Sequence, residues 1–282
     1  MRHVVREGLQ RFGEATEQHR PFPDFLIIGA QKAGTTALYQ YLARHPQVRP
    51  AITKEVHYFD ANFERGERWY RAHFPRRSAS SWGRSGFLTG EATPFYLFHP
   101  WVPARVAEGL PGLKLIVMLR DPVRRAISHY YHEVSLGFET RSLPRALDEE
   151  PSMIVGEEYR LARGLPSSPA YQHRSYFSRG LYADQLQRWL AHVPKEQLLI
   201  LPSERLSSDG GESYRSVLDF LGLPDDGQTT FGRVHQRAYP DPDPSIVREL
   251  NRRYRRPNDR LVELLGRVRA DSFPWAVDSL VS

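Results

Sequence analysis

Residues 24–46 read DFLIIGAQKAGTTALYQYLARHP and join an apolar run, a glycine-bearing turn and a second apolar pattern. The run DFLIIG, residues 24–29, is short and continuous, which predicts a parallel strand covered on both faces. Leu38 and Leu42 are four residues apart, as on one face of a helix, and Pro46 would end that helix. The sequence therefore predicts a strand, a glycine loop and a helix in direct succession.

The glycine-bearing turn, residues 29–36, has the outline of a P-loop, in which backbone N–H groups and a helix N-terminus bind a phosphate. In the nucleotide-hydrolase pattern GxxxxGK[ST] a lysine follows the second glycine, whereas here Thr35 occupies that place and Lys32 comes two residues before Gly34. We therefore expect a different phosphate ligand, with Lys32 near the bridging oxygen of a leaving phosphate and Thr35 and Thr36 as hydroxyl donors. The alternative is a tight turn whose glycines serve only backbone freedom.

A second unit follows at residues 114–133, KLIVMLRDPVRRAISHYYHE. Leu115–Leu119 form an apolar run, and Asp121 followed by Pro122 suits the N-cap and first position of a helix. Strands that alternate with helices predict an α/β, three-layer, P-loop-like fold with a central, mainly parallel sheet flanked by helices. Weaker patterns predict two further strands, at residues 87–90 and 197–201, and two further helices, at residues 181–192 and 213–221.

The composition, 40% hydrophobic and 26% charged residues over 282 positions, is that of a chain with one substantial core. The formal net charge of +6 favours anionic partners such as phosphates, sulfated sugars, nucleic acid or membrane surfaces. The absence of cysteine excludes disulfides, cysteine metal sites and thiol nucleophiles. The longest apolar runs, FLIIG and LKLIVML, are far shorter than the roughly 20 residues of a membrane helix, so we expect a cytoplasmic protein without membrane insertion.

No repeat, low-complexity tract or linker divides the chain, so we expect a single domain over residues 1–282. Residues 1–21 are polar and are predicted to form a peripheral N-terminal segment. Residues 133–175 form a long, charged stretch interrupted by proline, which predicts a flap or an insertion that binds a substrate.

Two side chains near the second predicted strand could bind an anion. Arg120 stands at the carboxyl end of that strand, where open α/β sheets bind ligands, and Ser128 lies about two turns into the helix that follows. Both could contact one phosphate. The alternative is that Arg120 pairs with Asp121 or a neighbour and that Ser128 is an ordinary exposed helix residue.

Residues 53–59, TKEVHYF, contain a carboxylate and an imidazole two positions apart. If the segment is extended, Glu55 and His57 lie on the same side of it, and either could act as a general base. The alternative is that Glu55 forms a salt bridge with Lys54 or an arginine and that His57 packs against the aromatic rings that follow it.

Taken together, these segments resemble the sulfotransferases that use 3'-phosphoadenosine 5'-phosphosulfate (PAPS). The resemblance lies in FLIIGAQKAGTTALYQYLARHP, TKEVHYFD, GEATPFYL and KLIVMLRDPVRRAISHYY, in this order, and extends over about residues 24 to 266. It is strongest for the heparan-sulfate N- and 3-O-sulfotransferase branch and suggests a bacterial member. It implies in-line sulfuryl transfer from PAPS, without a metal, to a hydroxyl or amine of a small-molecule or glycan acceptor, a carbohydrate or other polyhydroxy metabolite.

The same resemblance implies the residues that bind PAPS. Its 5'-phosphosulfate would be held by Lys32, Ala33, Gly34, Thr35 and Thr36. Arg120 and Ser128 would bind its 3'-phosphate, and Arg237 falls where the family has a basic loop over the co-substrate. Residues 133–175 would bind the acceptor.

The resemblance also implies the catalytic residues. Glu55 matches the catalytic base, His57 the nearby imidazole, and Lys32 the residue that stabilises the departing phosphate oxygen.

Three positions depart from the family pattern. Ala92 stands where heparan-sulfate enzymes usually carry a lysine, and His235 and Gln236 replace a lysine and a glycine in the basic loop. The family's disulfide-bearing hairpin before that loop is missing. These differences favour a cytoplasmic bacterial relative whose acceptor is not heparan sulfate.

Two other functions stay open. A P-loop nucleotide or sugar kinase would need magnesium and a lysine after Gly34, and the sequence shows neither signal. A non-catalytic protein that binds nucleic acid could use the arginines of residues 252–256, although such a cluster is more often a solvated helix face. No spacing of His, Asp and Glu predicts a metal site, and we expect His129 and His132 to be solvated helix residues.

Overall fold

The computed structural model describes residues 13–16, 19–77, 86–163, 167–208, 210–231, 239–266, 273 and 275. Five strands form one sheet in the order β2-β3-β1-β4-β5, and every neighbouring pair is parallel. The strands are β1 (Phe25–Gly29), β2 (Val48–Pro50), β3 (Leu88–Ala92), β4 (Lys114–Leu119) and β5 (Leu198–Pro202).

Helices connect the strands, as parallel pairing requires. The α-helices of the described residues are α1 (Thr35–Leu42), α2 (Gly66–Arg71), α3 (Val102–Gly109), α4 (Pro122–Leu136), α5 (Leu143–Ile154), α6 (Glu157–Ala162), α7 (Pro169–His173), α8 (Tyr182–Leu190), α9 (Ser203–Ser208), α10 (Gly210–Leu221) and α11 (Pro244–Leu265). Short 3-10 turns lie at Phe63–Arg65, Ser178–Gly180 and Lys195–Gln197. The prediction of an α/β fold with a parallel central sheet is confirmed.

The sheet forms the centre of the main hydrophobic core. All residues of β1 and β5 are buried, as are the five residues of β4 that follow Lys114. Such continuous apolar runs are possible because helices cover both faces of a parallel sheet, so that the side chains on each face are removed from water. β3, LTGEA, differs from these apolar strands because it carries the charged side chain of Glu91 into the interior.

The sheet topology creates a crevice at one edge. The connection after β1 leads towards β2, whereas the connection after β4 leads the other way to β5. In an open α/β sheet, ligands bind where the chain leaves two neighbouring strands in opposite directions, outside their carboxyl ends. The turn after β1 and the residues after β4 meet at this point.

Several local predictions are confirmed. Asp121 caps α4 by accepting a hydrogen bond from the Arg124 N–H at 2.8 Å, and Pro122 is the first helical residue. The predicted strands at residues 24–29 and 115–119 correspond to β1 and β4 within one residue at each end. The weaker predictions correspond to β3, β5, α8 and α10.

The described part of residues 133–175 is mostly helical. Its first residues continue α4 to Leu136, and α5, α6 and α7 follow. Leu143 and Leu147 of α5 are buried in a second apolar cluster with α4 and α11. This stretch therefore includes a packed helical layer. Of the predicted segment 1–21, residues 13–16 and 19–21 are described, so its peripheral placement stays a prediction.

No helix among the described residues is long and apolar enough to cross a membrane.

Candidate active site

The turn between β1 and α1 has an unusual backbone at two positions. Lys32 and Gly34 both have left-handed backbone angles, with φ of 72° and 87°. A Cβ at Gly34 would make only ordinary contacts, 3.6 Å from the Met118 methyl carbon and 3.7 Å from Leu206. Glycine is therefore favoured at this position by the backbone angle and not by lack of space.

The first turn of α1 is suited to an anion. The N–H groups of Thr35 and Thr36 belong to the first turn and have no acceptor within the helix. The helix dipole adds partial positive charge here, and no acidic residue lies in the first turn. Lys32 supplies a full positive charge to the same cavity. The turn can therefore hold a phosphate or a sulfate.

Arg120 joins the two strand ends. It follows β4 directly, and its Nη1 donates a hydrogen bond to the carbonyl oxygen of Lys32 at 3.1 Å. The hydroxyl of Tyr182 donates to the carbonyl of Arg120 at 2.8 Å and fixes its backbone. Asp121, the suggested alternative partner, caps α4 instead. Arg120 is thus placed beside the glycine loop.

One face of α4 continues the cavity away from Arg120. Arg124, Ser128, His132 and Ser135 recur at helical spacing and line the same cavity. Ser128 is buried and faces this cavity, so it is not an ordinary exposed helix residue. Sequence analysis did not identify Arg124, although its spacing of four residues from both Arg120 and Ser128 is a signal that could have revealed it.

The cleft has a volume of about 1150 Å³, which exceeds the usual size of a single small-molecule pocket. It therefore has room for a nucleotide and a second substrate. The structure brings together in its lining nearly all of the predicted site residues: Lys32, Ala33, Gly34, Thr35, Thr36, Glu55, His57, Arg120 and Ser128. Arg237 lies outside the described residues.

The loop that carries Glu55 and His57 is not extended, so the condition under which their spacing would place them on one side is not met. Both residues adopt left-handed backbone angles, with φ of 59° and 56°. Such angles cost about 1–2 kcal/mol each for residues other than glycine, so the surroundings must hold them. The turn still brings the two side chains together, because His57 Nε2 lies 3.7 Å from Glu55 Oε2.

Glu55 is ionised and faces the cleft. Burial raises its pKa, but the hydrogen bond from His57 and the charge of Lys54 outweigh burial and lower the pKa to about 2. Lys54 Nζ does contact Glu55 Oε1, as the alternative interpretation expected. The carboxylate nevertheless remains accessible, since 43% of the side chain is exposed. Glu55 therefore forms this salt bridge and lines the cleft at the same time.

His57 is held by a second carboxylate that sequence analysis missed. Its Nδ1 lies 2.6 Å from Oδ2 of the buried Asp60, and it does not simply pack against the following aromatic rings. Burial lowers the pKa of His57, but Asp60 and Glu55 outweigh burial and raise it to about 10. The imidazole is therefore a cation at neutral pH. The only sequence signal for Asp60 is its position three residues after His57.

Arg179 is another cation of the cleft wall that sequence analysis did not single out. It is buried, and its Nη1 donates to Gln31 Oε1 at 2.5 Å. Its guanidinium lies over the ring of Phe95, 4.7 Å from the ring centre. Burial, with a contribution from Arg125, lowers its pKa to about 9. It adds positive charge on the side of the cleft beside the glycine loop.

The prediction for His129 is wrong, because this side chain is fully buried on the inner face of α4. Its Nε2 lies 3.2 Å from Oε1 of Glu133. The other carboxylate oxygen of Glu133, Oε2, lies 2.9 Å from His173 Nδ1. Burial lowers the pKa of His129 well below its ordinary value. His132, on the outer face, lines the cleft. In the described part of the chain, no group of three or more His, Asp or Glu side chains is arranged to hold a metal ion.

The fold and the cleft define a P-loop-like α/β protein in which a turn suited to an anion and an ionised carboxylate line the same cleft. The sulfotransferase domain family matches residues 22–238, and the chain belongs to this family. The prediction of a sulfotransferase, a family of transferase enzymes, is therefore confirmed at the level of the family. The kinase and nucleic-acid-binding alternatives are not favoured.

Individual relatives agree with this assignment. The chain is 32% identical over 274 residues to human heparan sulfate glucosamine 3-O-sulfotransferase 3A1, covering 89% of this chain and 62% of that protein. It is 32% identical over 287 residues to human bifunctional heparan sulfate N-deacetylase/N-sulfotransferase 2, covering 92% of this chain and 31% of that protein. The crystal structure of a sulfotransferase from Alicyclobacillus acidocaldarius superposes with a TM-score of 0.69 at 28% identity, covering 90% of this chain and 98% of that one.

The chain thus spans less than two thirds of the length of the first of these curated relatives.

Proposed function

We propose that this protein transfers a sulfuryl group from PAPS to a hydroxyl or amine of a carbohydrate or other polyhydroxy acceptor. The observation that carries the proposal is the meeting of two anion-binding elements in one cleft with an ionised carboxylate on its wall. PAPS has two anionic ends, a 5'-phosphosulfate and a 3'-phosphate. The glycine loop and the Arg120 side of the cleft offer one cationic element to each end.

The donor would be held mainly by backbone and by cations. The N–H groups of Gly34, Thr35 and Thr36 and the ammonium of Lys32 would bind the 5'-phosphosulfate, and Ala33 would lie next to it while its own N–H donates to the carbonyl of Ala30. Arg120 and Ser128 would bind the 3'-phosphate, with Arg237 as the predicted contribution of the basic loop. The shared cavity and the hydrogen bond between Arg120 and the Lys32 carbonyl support this arrangement.

The reaction is a direct displacement at sulfur. The acceptor oxygen or nitrogen forms a bond to sulfur while the bond from sulfur to the bridging phosphate oxygen breaks, and the acceptor proton passes to Glu55. The products are the sulfated acceptor and adenosine 3',5'-bisphosphate. The negative charge that develops on the bridging oxygen is stabilised by Lys32 and the loop N–H groups, which are preorganised for it.

The low pKa of Glu55 fits this order of events. A carboxylate with a pKa of about 2 is ionised at neutral pH but is a weak base. An acceptor hydroxyl becomes strongly acidic as its oxygen bonds to sulfur, so a weak base can take the proton at that stage. The His57 cation beside Glu55 keeps the carboxylate oriented and ionised until then.

The acceptor would bind on the side formed by residues 133–175. Val134, Ser135 and Gln172 from this stretch line the cleft, which supports its proposed role. Ala92, where heparan-sulfate enzymes usually have a lysine, is fully buried and adds no charge here. We therefore propose a glycan or small-molecule acceptor that differs from heparan sulfate. Independence from metals, absence of nucleic-acid and membrane partners, and a cytoplasmic location stay predictions.

Incubation with radiolabelled PAPS and a panel of glycans and small metabolites tests the proposal. The wild type is expected to transfer label to at least one acceptor. Glu55→Gln should lower transfer by roughly 100- to 10,000-fold while still binding adenosine 3',5'-bisphosphate. Equal transfer by this variant would remove Glu55 from the role of base, and failure of the wild type to bind that nucleotide would overturn the proposed function.

A further inference from the structure

Glu91 is a buried carboxylate outside the cleft that accepts hydrogen bonds from four donors. Its Oε1 accepts from the hydroxyls of Tyr70 and Tyr96, each at 3.0 Å. Its Oε2 accepts from the hydroxyl of Thr93 at 2.6 Å and from the backbone N–H of Val56 at 3.1 Å. The side chain is 0% exposed. A buried charged group is stable only when it is satisfied in this way.

Tyr96 extends this network further along the loop that carries Glu55 and His57. Its hydroxyl oxygen accepts hydrogen bonds from the backbone N–H groups of Tyr58 at 2.8 Å and Phe59 at 3.3 Å. Because the oxygen receives two donors, its own proton points to Glu91. Glu91 and Tyr96 together therefore bind three N–H groups of the segment that carries Glu55 and His57.

The network requires a carboxylate that only accepts. Burial outweighs the four donors, so the pKa of Glu91 is raised above its ordinary value, although each donor favours the ionised form. A protonated carboxyl would add a fifth donor, which a neighbouring hydroxyl could accept only by turning its own proton away from Glu91. An amide in the same position would place an N–H₂ group against two donors. The position is therefore selective for the ionised carboxylate over an isosteric amide.

The catalytic loop needs this support because of its backbone. Glu55 and His57 both have positive φ, and the intervening Val56 and the following Tyr58 are the residues whose N–H groups the network holds. Fixing the N–H on each side of His57 fixes the direction in which its side chain and that of Glu55 leave the backbone. Neither Glu91 nor Tyr96 lines the cleft.

We propose that Glu91 and Tyr96 are positioning residues that set the geometry of Glu55 and His57. The inference rests on the proposed function, since the base whose place they set is that of sulfuryl transfer. They touch no substrate and act only through the loop. A displacement of the base by about 1 Å can lower turnover by about 100-fold, so a loosened loop has a large catalytic effect.

Two tyrosines offer a matched test. Tyr70 and Tyr96 are both fully buried and both donate to Oε1 of Glu91 at the same distance. Only Tyr96 also binds the N–H groups of the loop. Tyr96→Phe should lower kcat by about tenfold or more and Tyr70→Phe by no more than about threefold. Both should bind adenosine 3',5'-bisphosphate with the wild-type Kd, because the donor side is untouched.

Glu91→Gln adds a stronger perturbation at the centre of the network. We expect kcat to fall by about 100-fold with little change in the nucleotide Kd. Thermal unfolding of each variant is recorded alongside. Equal loss of kcat in the two tyrosine variants, or loss in proportion to the fall in Tm, would overturn the inference, as would a wild-type kcat for Tyr96→Phe. The tyrosine pair decides the question if Glu91→Gln does not fold.

A titration of His57 by NMR gives a readout that does not need turnover. Tyr96→Phe should move the pKa of His57 down from about 10 towards its ordinary value, because the contact with Glu55 is loosened, and Tyr70→Phe should not. An unchanged His57 pKa in Tyr96→Phe contradicts the positioning role. Absence of nucleotide binding in the wild type, by contrast, contradicts the proposed function alone.

Discussion

The two walls of the cleft obtain their geometry from different sources. The wall that we propose binds PAPS, called the donor wall, takes its shape from the backbone of consecutive residues 30–36. It also includes Arg120, which donates a hydrogen bond to a carbonyl of that loop. The wall that carries Glu55 and His57, called the base wall, takes its shape from the buried side chains of Glu91 and Tyr96. These come 35 to 38 residues after the N–H groups that they bind, which belong to Val56, Tyr58 and Phe59. Substitutions at the donor wall should therefore remove contacts with the ligand. Substitutions behind the base wall should instead displace the side chains of Glu55 and His57.

Apart from substitution of the base itself, the largest expected effect is at the donor wall. Lys32→Ala removes the cation that we propose lies next to the bridging oxygen of PAPS and should lower kcat by roughly 100- to 1,000-fold, the usual cost of one preorganised donor. The fold should be unchanged, because the turn is held by its backbone. Steady-state kinetics with PAPS, together with a circular dichroism spectrum, checks this. Wild-type turnover in the variant would refute the assignment of Lys32.

The next effect lies at the base wall and depends on pH. Asp60 raises the pKa of His57, so Asp60→Asn should lower that pKa from about 10 towards its ordinary value. The pair of anionic Glu55 and cationic His57 exists between pH about 2 and about 10 in the wild type. The alkaline limb of the kcat/KM profile should therefore move to lower pH in the variant.

Asp148 offers a control for this pH shift, since it is exposed on α5 and does not line the cleft. Asp148→Asn should retain the wild-type profile. An alkaline limb that stays in place in Asp60→Asn would show that the charge of His57 is not set by Asp60.

The same contrast between the walls explains which parts of the site the sequence could predict. The residues of the donor loop are consecutive, and Arg120 follows a recognisable strand, so local pattern and sheet topology were sufficient to bring them together. The support of the base wall was not predictable in this way. Glu91 and Tyr96 reach the loop only after the chain has folded, and no periodicity links them to Glu55.

Tertiary structure also decides two other positions. The spacing of Glu55 and His57 places them on one side only in an extended segment, but both residues have left-handed angles, and the turn brings their side chains together instead. His129 was expected to be a solvated helix residue because the sequence shows no metal-ligand spacing around it, yet Glu133 and the packing of α5 and α11 against α4 allow a buried histidine there. Tertiary contacts decided both positions.

A smaller effect is expected at the edge of the donor wall. Arg124 lines the cleft between Arg120 and Ser128 and is exposed, so it can approach the 3'-phosphate without rearrangement of α4. Arg124→Ala should raise the KM for PAPS by about tenfold, in line with one charge-assisted contact in partly screened surroundings. Affinity for adenosine 5'-monophosphate, which lacks the 3'-phosphate, should not change.

Arg252→Ala is the matched control for Arg124→Ala. Arg252 is 76% exposed on α11, pairs with Glu249 and lies outside the cleft. Its removal should leave the KM for PAPS at the wild-type value. An equal rise in both variants would mean that Arg124 acts only through the general charge of the protein.

The smallest effect concerns the loop backbone itself. Gly34→Ala places a Cβ at a φ of 87°, although the space around it is adequate. The free energy of unfolding should fall by about 1–2 kcal/mol, measured by urea denaturation. The change should leave the His57 pKa unaltered, because the base wall does not depend on this turn. A shift in that pKa would contradict the separation of the two walls.

Isothermal titration calorimetry of the wild type with adenosine 3',5'-bisphosphate tests whether the cleft binds the nucleotide of PAPS. We expect saturable heat with this nucleotide, and binding at least about tenfold weaker for adenosine 5'-monophosphate because the proposed contacts of Arg120 and Ser128 are lost. No heat with adenosine 3',5'-bisphosphate, together with tight binding of ATP in the presence of magnesium, would contradict it.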